Sequence, residues 1–268
     1  GYYAVSTDGL HWDKVEGVKL TSELGSKRIR DPWVGRDKEG NFIILATEGF
    51  DNPEIYIFHS KYLKTIEHEQ LGQVVYYDEW LKMTGLRAWA PEMTYDNENN
   101  LYYIYFSDNG FETKEGKNGQ IVCVTTSDFE TFSYPKSFLD TGYSIIDGTI
   151  FIDHGRYWML YKDERKAAQT IYYGYATELS KGFNKVYDDT FLSLIKYEEG
   201  PFTVKSKEGK QYLYVDNYPT GKVYVGELIE NEGRYVVNWL EDYQLPEEDV
   251  RHGSVLPITE EEYKKLMN

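Results

Sequence analysis

Glu92-Met93-Thr94-Tyr95-Asp96-Asn97-Glu98-Asn99-Asn100-Leu101-Tyr102-Tyr103-Ile104-Tyr105-Phe106 is the stretch from which the fold is read. A short strand-forming run enters a polar turn rich in Asn and Asp. The chain then returns as six consecutive β-branched, aromatic or aliphatic residues, the pattern of an antiparallel hairpin. The same unit recurs. Asp31-Pro32-Trp33-Val34 stands ahead of Phe42-Ile43-Ile44-Leu45-Ala46, and Asp147-Gly148-Thr149-Ile150-Phe151 ahead of Tyr157-Trp158-Met159-Leu160-Tyr161. Glu199-Gly200-Pro201-Phe202 likewise precedes Tyr212-Leu213-Tyr214-Val215. Third strands follow, as in Ile55-Tyr56-Ile57-Phe58, Ile121-Val122-Cys123-Val124, Ile171-Tyr172-Tyr173-Gly174-Tyr175 and Val223-Tyr224-Val225.

The leading acids Asp31, Glu92, Asp147 and Glu199 lie 52 to 61 residues apart, and 53 residues further on stands His252 in Arg251-His252-Gly253-Ser254-Val255. Five units of about this length account for the 268 residues. A repeat of this period with about four antiparallel strands predicts an all-β fold, a five-bladed β-propeller whose blades bury one another's faces. Residues 1–268 are therefore expected to form one catalytic domain. Some third strands end in a Ser or Thr and an aromatic-tipped turn, as in Ser6-Thr7-Asp8-Gly9-Leu10-His11-Trp12 and Ser127-Asp128-Phe129-Glu130-Thr131-Phe132. Residues 254–258 are expected as the inner strand of the last blade and residues 2–6 as its third strand, so that the two ends close the ring. No second strand for that blade is found, and residues ahead of Gly1 are expected to have supplied it. A helix is allowed only at the acidic C-terminal stretch, residues 260–267.

Composition narrows the function. The formal charge is −16, from 29 Lys and Arg against 45 Asp and Glu, which disfavours nucleic acid and anionic membrane as partners. No stretch approaches the roughly 18 apolar residues of a membrane-spanning helix. Aromatics make up 16% of the chain, with 26 tyrosines, a composition for strands rather than disorder. The single cysteine, Cys123, forms no internal disulfide, and the five histidines show no paired zinc-ligand spacing.

In a propeller the first strand of each blade lines the central channel, so the repeated positions converge near the axis. Singly, Asp147-Gly148 reads as a turn, Asp31-Pro32 as a loop start and Glu199 as one of many surface acids. As a set, four carboxylates and a histidine gathered in one channel repel strongly and point to chemistry rather than to packing.

The motifs Arg30-Asp31-Pro32, Trp89-Ala90-Pro91-Glu92, Ile146-Asp147-Gly148, Glu199-Gly200-Pro201 and His252-Gly253-Ser254-Val255, in this order, resemble glycoside hydrolase family 43. The resemblance implies a five-bladed propeller that hydrolyses arabinose-, xylose- or galactose-containing plant-type saccharides with inversion, so the expected partner is carbohydrate. It makes Asp31 the general base, Glu199 the general acid, and Asp147 the residue that tunes and holds the acid. Glu199 must keep its proton until the leaving oxygen takes it, which burial and a nearby Asp147 charge would favour; Arg30 would help keep Asp31 ionised. Glu198 competes for the acid position, but neighbouring strand residues face opposite ways, and the acid-Gly-Pro pattern selects Glu199.

The resemblance also implies that His252 helps to hold a central ion, a structural Ca2+ reached largely through water; no cofactor is required for the chemistry. Sugars need aromatic platforms and polar edges, which Trp33, Trp89, Phe50, Arg30, Glu92 and Arg165 could provide. The Lys166-Ala167-Ala168-Gln169 turn and the stretch 111–119 are loops that could shape subsites. Two rivals stay open. A retaining, invertase-type propeller shares Arg-Asp-Pro, but its Asn-Asp-Pro and Glu-Cys motifs are absent here. A carbohydrate-binding propeller without activity has no need of an acid opposite a base.

Overall fold

The computed structural model describes residues 1–22, 27–50, 54–63, 73–74, 87–108, 112–113, 116–117, 119–166, 169–185, 195–247 and 250–268. The hairpins expected from the repeat are present. Strands β1 (Tyr2–Val5) and β2 (Asp13–Lys19) pair in a two-stranded antiparallel sheet. Among the described residues, four four-stranded antiparallel sheets follow. The first contains β3 (Arg30–Arg36), β4 (Phe42–Thr47), β5 (Ile55–Ser60) and β6 (Gln73–Val74). The second contains β7 (Trp89–Asp96) and β8 (Leu101–Asp108). After a small hairpin of β9 (Glu112–Thr113) and β10 (Gly116–Lys117), it is completed by β11 (Gln120–Thr126) and β12 (Lys136–Leu139). The third holds β13 (Ile145–Asp153), β14 (Arg156–Asp163), β15 (Ile171–Ala176) and β16 (Asn184–Lys185). The fourth holds β17 (Glu198–Lys205), β18 (Gln211–Asn217), β19 (Lys222–Asn231) and β20 (Arg234–Trp239). Helix α1 (Glu260–Met267) forms at the stretch allowed by the sequence, started by a Thr259–Glu262 capping box.

The second strands are continuous apolar runs because each is buried on both faces. In β4, Ile43 and Leu45 pack toward the second sheet with Ile104 and Val122, while Phe42, Ile44 and Ala46 pack toward β2 with Val15 and Val18. The alternation continues between later sheets, through Tyr105, Cys123, Met159 and Tyr161, then through Trp158, Leu160, Leu213 and Val215. Most of the aromatic excess goes into these layers; Tyr56, Tyr102, Tyr105, Tyr161 and Tyr214 are fully buried. The first strands of the four sheets, β3, β7, β13 and β17, contact one another in succession.

The aromatic-tipped turns are true repeats. Ser6 Oγ accepts the Gly9 N–H and Asp8 Oδ1 those of Leu10 and His11. Thr126 Oγ1 and Asp128 Oδ1 do the same for Phe129, Glu130 and Thr131. The first turn docks on the fourth sheet: Trp12 N–H donates to the Gln244 carbonyl at 3.0 Å, Gln244 N–H to the Leu10 carbonyl at 3.0 Å, and Trp12 Nε1 to Tyr214 Oη at 3.0 Å.

Two expectations need correction. Residues 254–258 form no strand ladder. Ser254 instead ties them to β3, its Oγ accepting the Val34 N–H at 2.8 Å and donating to the Pro32 carbonyl at 3.2 Å. The acids also do not share one register. Each of these first strands carries a bulge at the same place: Arg30, Trp89, Ile146 and Glu199 pair with Thr47, Ser107, Lys162 and Asp216, and pairing resumes at Trp33, Glu92, Thr149 and Phe202. Between these pairs the backbone turns into the left-handed region at Asp31 (φ 48°), Ala90 (48°), Asp147 (56°) and Gly200 (55°), and His252 (36°) does so beyond them. The bulged positions are thus Asp31, Ala90, Asp147, Gly200 and His252. Glu199 lies one residue before its bulge and Glu92 two after; a bulge re-aims side chains, which spacing alone does not reveal.

Candidate active site

The bulges aim polar groups at a cavity of about 500 Å3 whose lining includes Asp31, Glu199, Asp216, Arg251 and His252. Asp31 leaves β3 at its bulge. Its Oδ2 accepts from Thr47 Oγ1 at 3.0 Å, and its Oδ1 lies 3.5 Å from His252 Nδ1. Glu199 is ion-paired on both oxygens, with Lys162 Nζ at 3.1 Å and Arg251 Nη2 at 2.8 Å. Arg251 also donates through Nε to Asp216 Oδ2 at 3.0 Å, and the same oxygen accepts the His252 N–H at 2.8 Å. Asp147 is buried behind this front. It accepts the Gly200 N–H at 3.0 Å and directs its own N–H to Ser107 Oγ at 2.8 Å. Glu198 faces away from the cavity, fully buried and accepting from Thr170 Oγ1 at 2.9 Å.

Burial dominates the electrostatics. It pushes Asp147 up to about 6, against the pull of His252 and with the help of the Asp31 charge. Burial opposes a charged imidazole at His252, yet Asp147, Asp31, Asp216 and Glu92 outweigh it and push His252 up to about 9. The imidazolium is therefore the positive charge at which the acids meet. Lys162 is treated similarly: burial disfavours its charge, and Glu164, Glu199 and Asp147 more than restore it.

These residues do not form a directly ligated calcium site: among the described residues, no three His, Cys, Asp or Glu side chains are grouped as ligands of one ion.

A family model described as a probable glycosyl hydrolase domain, of the group related to glycoside hydrolase family 43, matches residues 1–264. The chain belongs to this family. Over 185 residues it is 34% identical to an α-L-arabinofuranosidase of Bifidobacterium longum subsp. longum, a match covering 57% of this chain and 17% of that protein. The family 43 chain thus spans less than a fifth of the length of that curated relative. Among solved structures it resembles an endo-arabinase from Bacteroides thetaiotaomicron, with TM-score 0.60, 19% identity, and 85% and 84% of the two chains covered. It also resembles an α-L-arabinofuranosidase from Clostridium thermocellum, with TM-score 0.63, 13% identity, and 90% and 83% covered.

The remaining expected residues divide. Arg30 does not brace Asp31; its guanidinium lies over the Phe50 ring, 5.9 Å from the centroid. Phe50 and Trp89 form a tilted pair at 4.8 Å, clasped by Arg87 at 4.8 and 4.4 Å, and neither ring lines the cavity of Asp31 and Glu199. Trp33 lines that cavity but also packs against the first core layer, its indole lying over Gly35. Glu92 sits in a second cavity with Thr94, Thr149 and Ser254, buried and accepting from Tyr105 Oη at 2.9 Å; it does not line the first.

Arg165 is committed to structure. Its Nε donates to both oxygens of fully buried Asp163, at 3.1 and 3.0 Å, and its guanidinium stacks 3.7 Å from the Tyr143 centroid. Arg165→Ala is accordingly expected to cost on the order of 2 kcal/mol of stability, less than a fully buried pair because the guanidinium is half exposed, and to leave KM unchanged. Melting and steady-state kinetics check both. Of the candidate loops, residues 167–168, 111, 114–115 and 118 lie outside the described residues.

Lys162, Arg251, Asp216 and Thr47 escaped the sequence reading. The signal was available: Thr47, Ser107, Lys162 and Asp216 are polar residues at one common register near the ends of second strands whose centres are apolar.

Proposed function

We propose that this chain is an inverting glycosidase acting on arabinose-, xylose- or galactose-containing saccharides. Its fold would be one five-bladed propeller, in which residues 252–258, β1 and β2 make the fifth blade. The succession of innermost strands and the docking of the first turn on the fourth sheet support that architecture. The observation that carries the chemistry is that Asp31 and Glu199 line one cavity while buried Asp147 holds the backbone of the residue after Glu199.

The roles follow from charge flow. The bond from the anomeric carbon to the leaving oxygen breaks as that oxygen takes the proton of Glu199. A water on the opposite face of the sugar gives its proton to Asp31 and bonds to the same carbon, inverting it. Asp147 fixes Glu199 through the Gly200 N–H, and Thr47 and His252 orient Asp31. Both oxygens of Glu199 are engaged, so substrate entry must separate it from at least one of its cations, and the freed oxygen takes a proton from solvent before it acts as the acid. The arabinoside-cleaving names of the relatives support arabinosides as first substrates to try.

A screen of nitrophenyl glycosides, with the anomer followed by NMR during hydrolysis, tests the reading. The first-formed sugar is expected to have the configuration opposite to the substrate's. Retention would replace this mechanism by that of a retaining propeller, and no activity on any glycoside would favour a binding protein. A channel calcium enters the proposal only as an ion held through water beside His252. A Tm lowered by EDTA and restored by calcium is the result expected of such an ion; an unchanged Tm removes it.

A further inference from the structure

Of the two cations on Glu199, one is fixed in place and the other is not. Lys162 has a side chain only 6% exposed, is held by Glu164 at 2.8 Å, and lies over the Tyr218 ring, 4.7 Å from the centroid. Arg251 stands on a segment outside any strand, with its side chain 38% exposed. Arg251 lines the cavity of Asp31 and Glu199 and Lys162 does not. The Glu199 oxygen on the substrate's side is therefore Oε1, the one that Arg251 Nη2 grips.

Asp216 shows where Arg251 can go. Thr47, Ser107 and Asp216 share one register, and each accepts the N–H of the bulged residue that follows: Ala90 at 2.9 Å, Asp147 at 2.8 Å and His252 at 2.8 Å. One oxygen suffices for that task, as the hydroxyls of Thr47 and Ser107 show. Asp216 performs it with Oδ2, the same oxygen that takes Arg251 Nε at 3.0 Å. Its Oδ1 is buried and, among the described residues, has no hydrogen-bond partner. A buried acceptor left unpaired is destabilising and calls for a reason. Guanidinium geometry supplies one, because Nε and Nη2 of one arginine match the two oxygens of a carboxylate side by side. With Nε already on Oδ2, a turn of the guanidinium carries Nη2 from Glu199 to Oδ1.

We propose that Arg251 is a latch on the acid and that Asp216 is its second seat. With the latch closed, Nη2 holds Glu199 Oε1 and keeps it from the leaving oxygen. With the latch open, Arg251 donates to both oxygens of Asp216, and Glu199 Oε1 takes a proton from solvent and meets the substrate. Lys162 stays throughout and anchors Glu199 by Oε2. Asp216 is thus a positioning residue, acting on the reaction only through Arg251. The inference rests on Glu199 being the acid, and the test separates the two.

Asp216→Asn removes the second seat. The amide oxygen still accepts from the His252 N–H and Arg251 Nε, but an amide nitrogen in place of Oδ1 cannot accept Nη2. On an arabinose disaccharide kcat/KM is expected to fall about tenfold, and on a 4-nitrophenyl arabinoside by less than about threefold, since nitrophenolate leaves without a proton. In an Arg251→Gln background, which has no latch, the same substitution is expected to change kcat/KM on the disaccharide by less than about threefold. Equal losses on the two substrates, or the full loss in both backgrounds, would make Asp216 merely structural and overturn the proposal. Should substitution at 216 unfold the protein, a crystal structure of the Glu199→Gln variant decides. Arg251 Nη2 is expected there on Asp216 Oδ1, and Nη2 still bound to the side-chain oxygen of residue 199 would overturn the latch. Equal losses of Glu199→Gln on the two substrates would overturn the acid role and the latch with it. A leaving-group contrast for Glu199→Gln without one for Asp216→Asn would overturn the latch alone.

Discussion

Glu199→Gln is expected to lower kcat/KM for an unactivated arabinoside or xyloside by about 10²–10⁴, the usual contribution of a positioned general acid. The same variant should lose far less on a 4-nitrophenyl glycoside, because nitrophenolate leaves without being protonated. Asp31→Asn should lose activity on both substrates to a similar extent, because every leaving group needs the attacking water activated. The contrast between the two variants separates acid from base without a bound sugar. Neither change should unfold the protein. When Glu199 becomes neutral, Lys162 keeps Glu164 at 2.8 Å and Arg251 keeps Asp216 at 3.0 Å. When Asp31 becomes Asn, the side-chain oxygen still accepts from Thr47. Activity that survives both substitutions would refute the site. Equal losses of the Glu199 variant on the two leaving groups would refute the acid role alone.

How far the sequence was legible depends on what each feature is made of. Strands with continuous apolar faces, such as Phe42–Thr47 and Leu101–Asp108, were legible because burial on both sides leaves an unbroken signal. The turns at Asp8 and Asp128 were legible because their hydrogen bonds are local. The bulges were not. Inserting a residue into one strand keeps the hydrophobic pattern on either side while re-aiming what lies between, so counting from acid to acid aligned Glu92 and Glu199 with Asp31. Arg165 was misread for a related reason. Its place just beyond a second strand, nearly matching that of Phe50 two units earlier, suggested a pocket rim, but Asp163, two residues away, takes the guanidinium. The common register singled out Lys162 as a polar position but not its partner, and nothing local marked Arg251: a cation beside the proposed acid is a tertiary fact, and only packing brings β14 and the segment after β20 to Glu199.

The buried acids make stability depend on pH in a direction opposite to ordinary acid denaturation. Burial raises Asp147 to about 6 and Glu92 to about 7, and the surrounding acids raise His252 to about 9. Each group binds its proton more tightly folded than unfolded. Its contribution is therefore complete below its ordinary value and is lost as pH rises through its folded value: through about 6 for Asp147, about 7 for Glu92 and about 9 for His252. Asp8 and Asp128, held below the usual carboxylate range chiefly by backbone N–H donors, act in the opposite sense, and only in acid. The protein is thus expected to melt highest near pH 4–5 and progressively lower toward pH 9. Glu92→Gln tests this at a residue outside the proposed catalytic set. The amide oxygen still accepts from Tyr105, and no buried charge forms at high pH. The variant should melt near the wild-type temperature at pH 4 and above it at pH 8, by a margin on the order of 2 kcal/mol. Without the Glu92 charge, His252 loses one of the acids that hold its proton, so the fall assigned to it should begin at lower pH in the variant. KM should be unchanged, because Glu92 does not line the cavity of Asp31 and Glu199. A Tm difference independent of pH would show that Glu92 is not the titrating group, and a raised KM would return it to the substrate site.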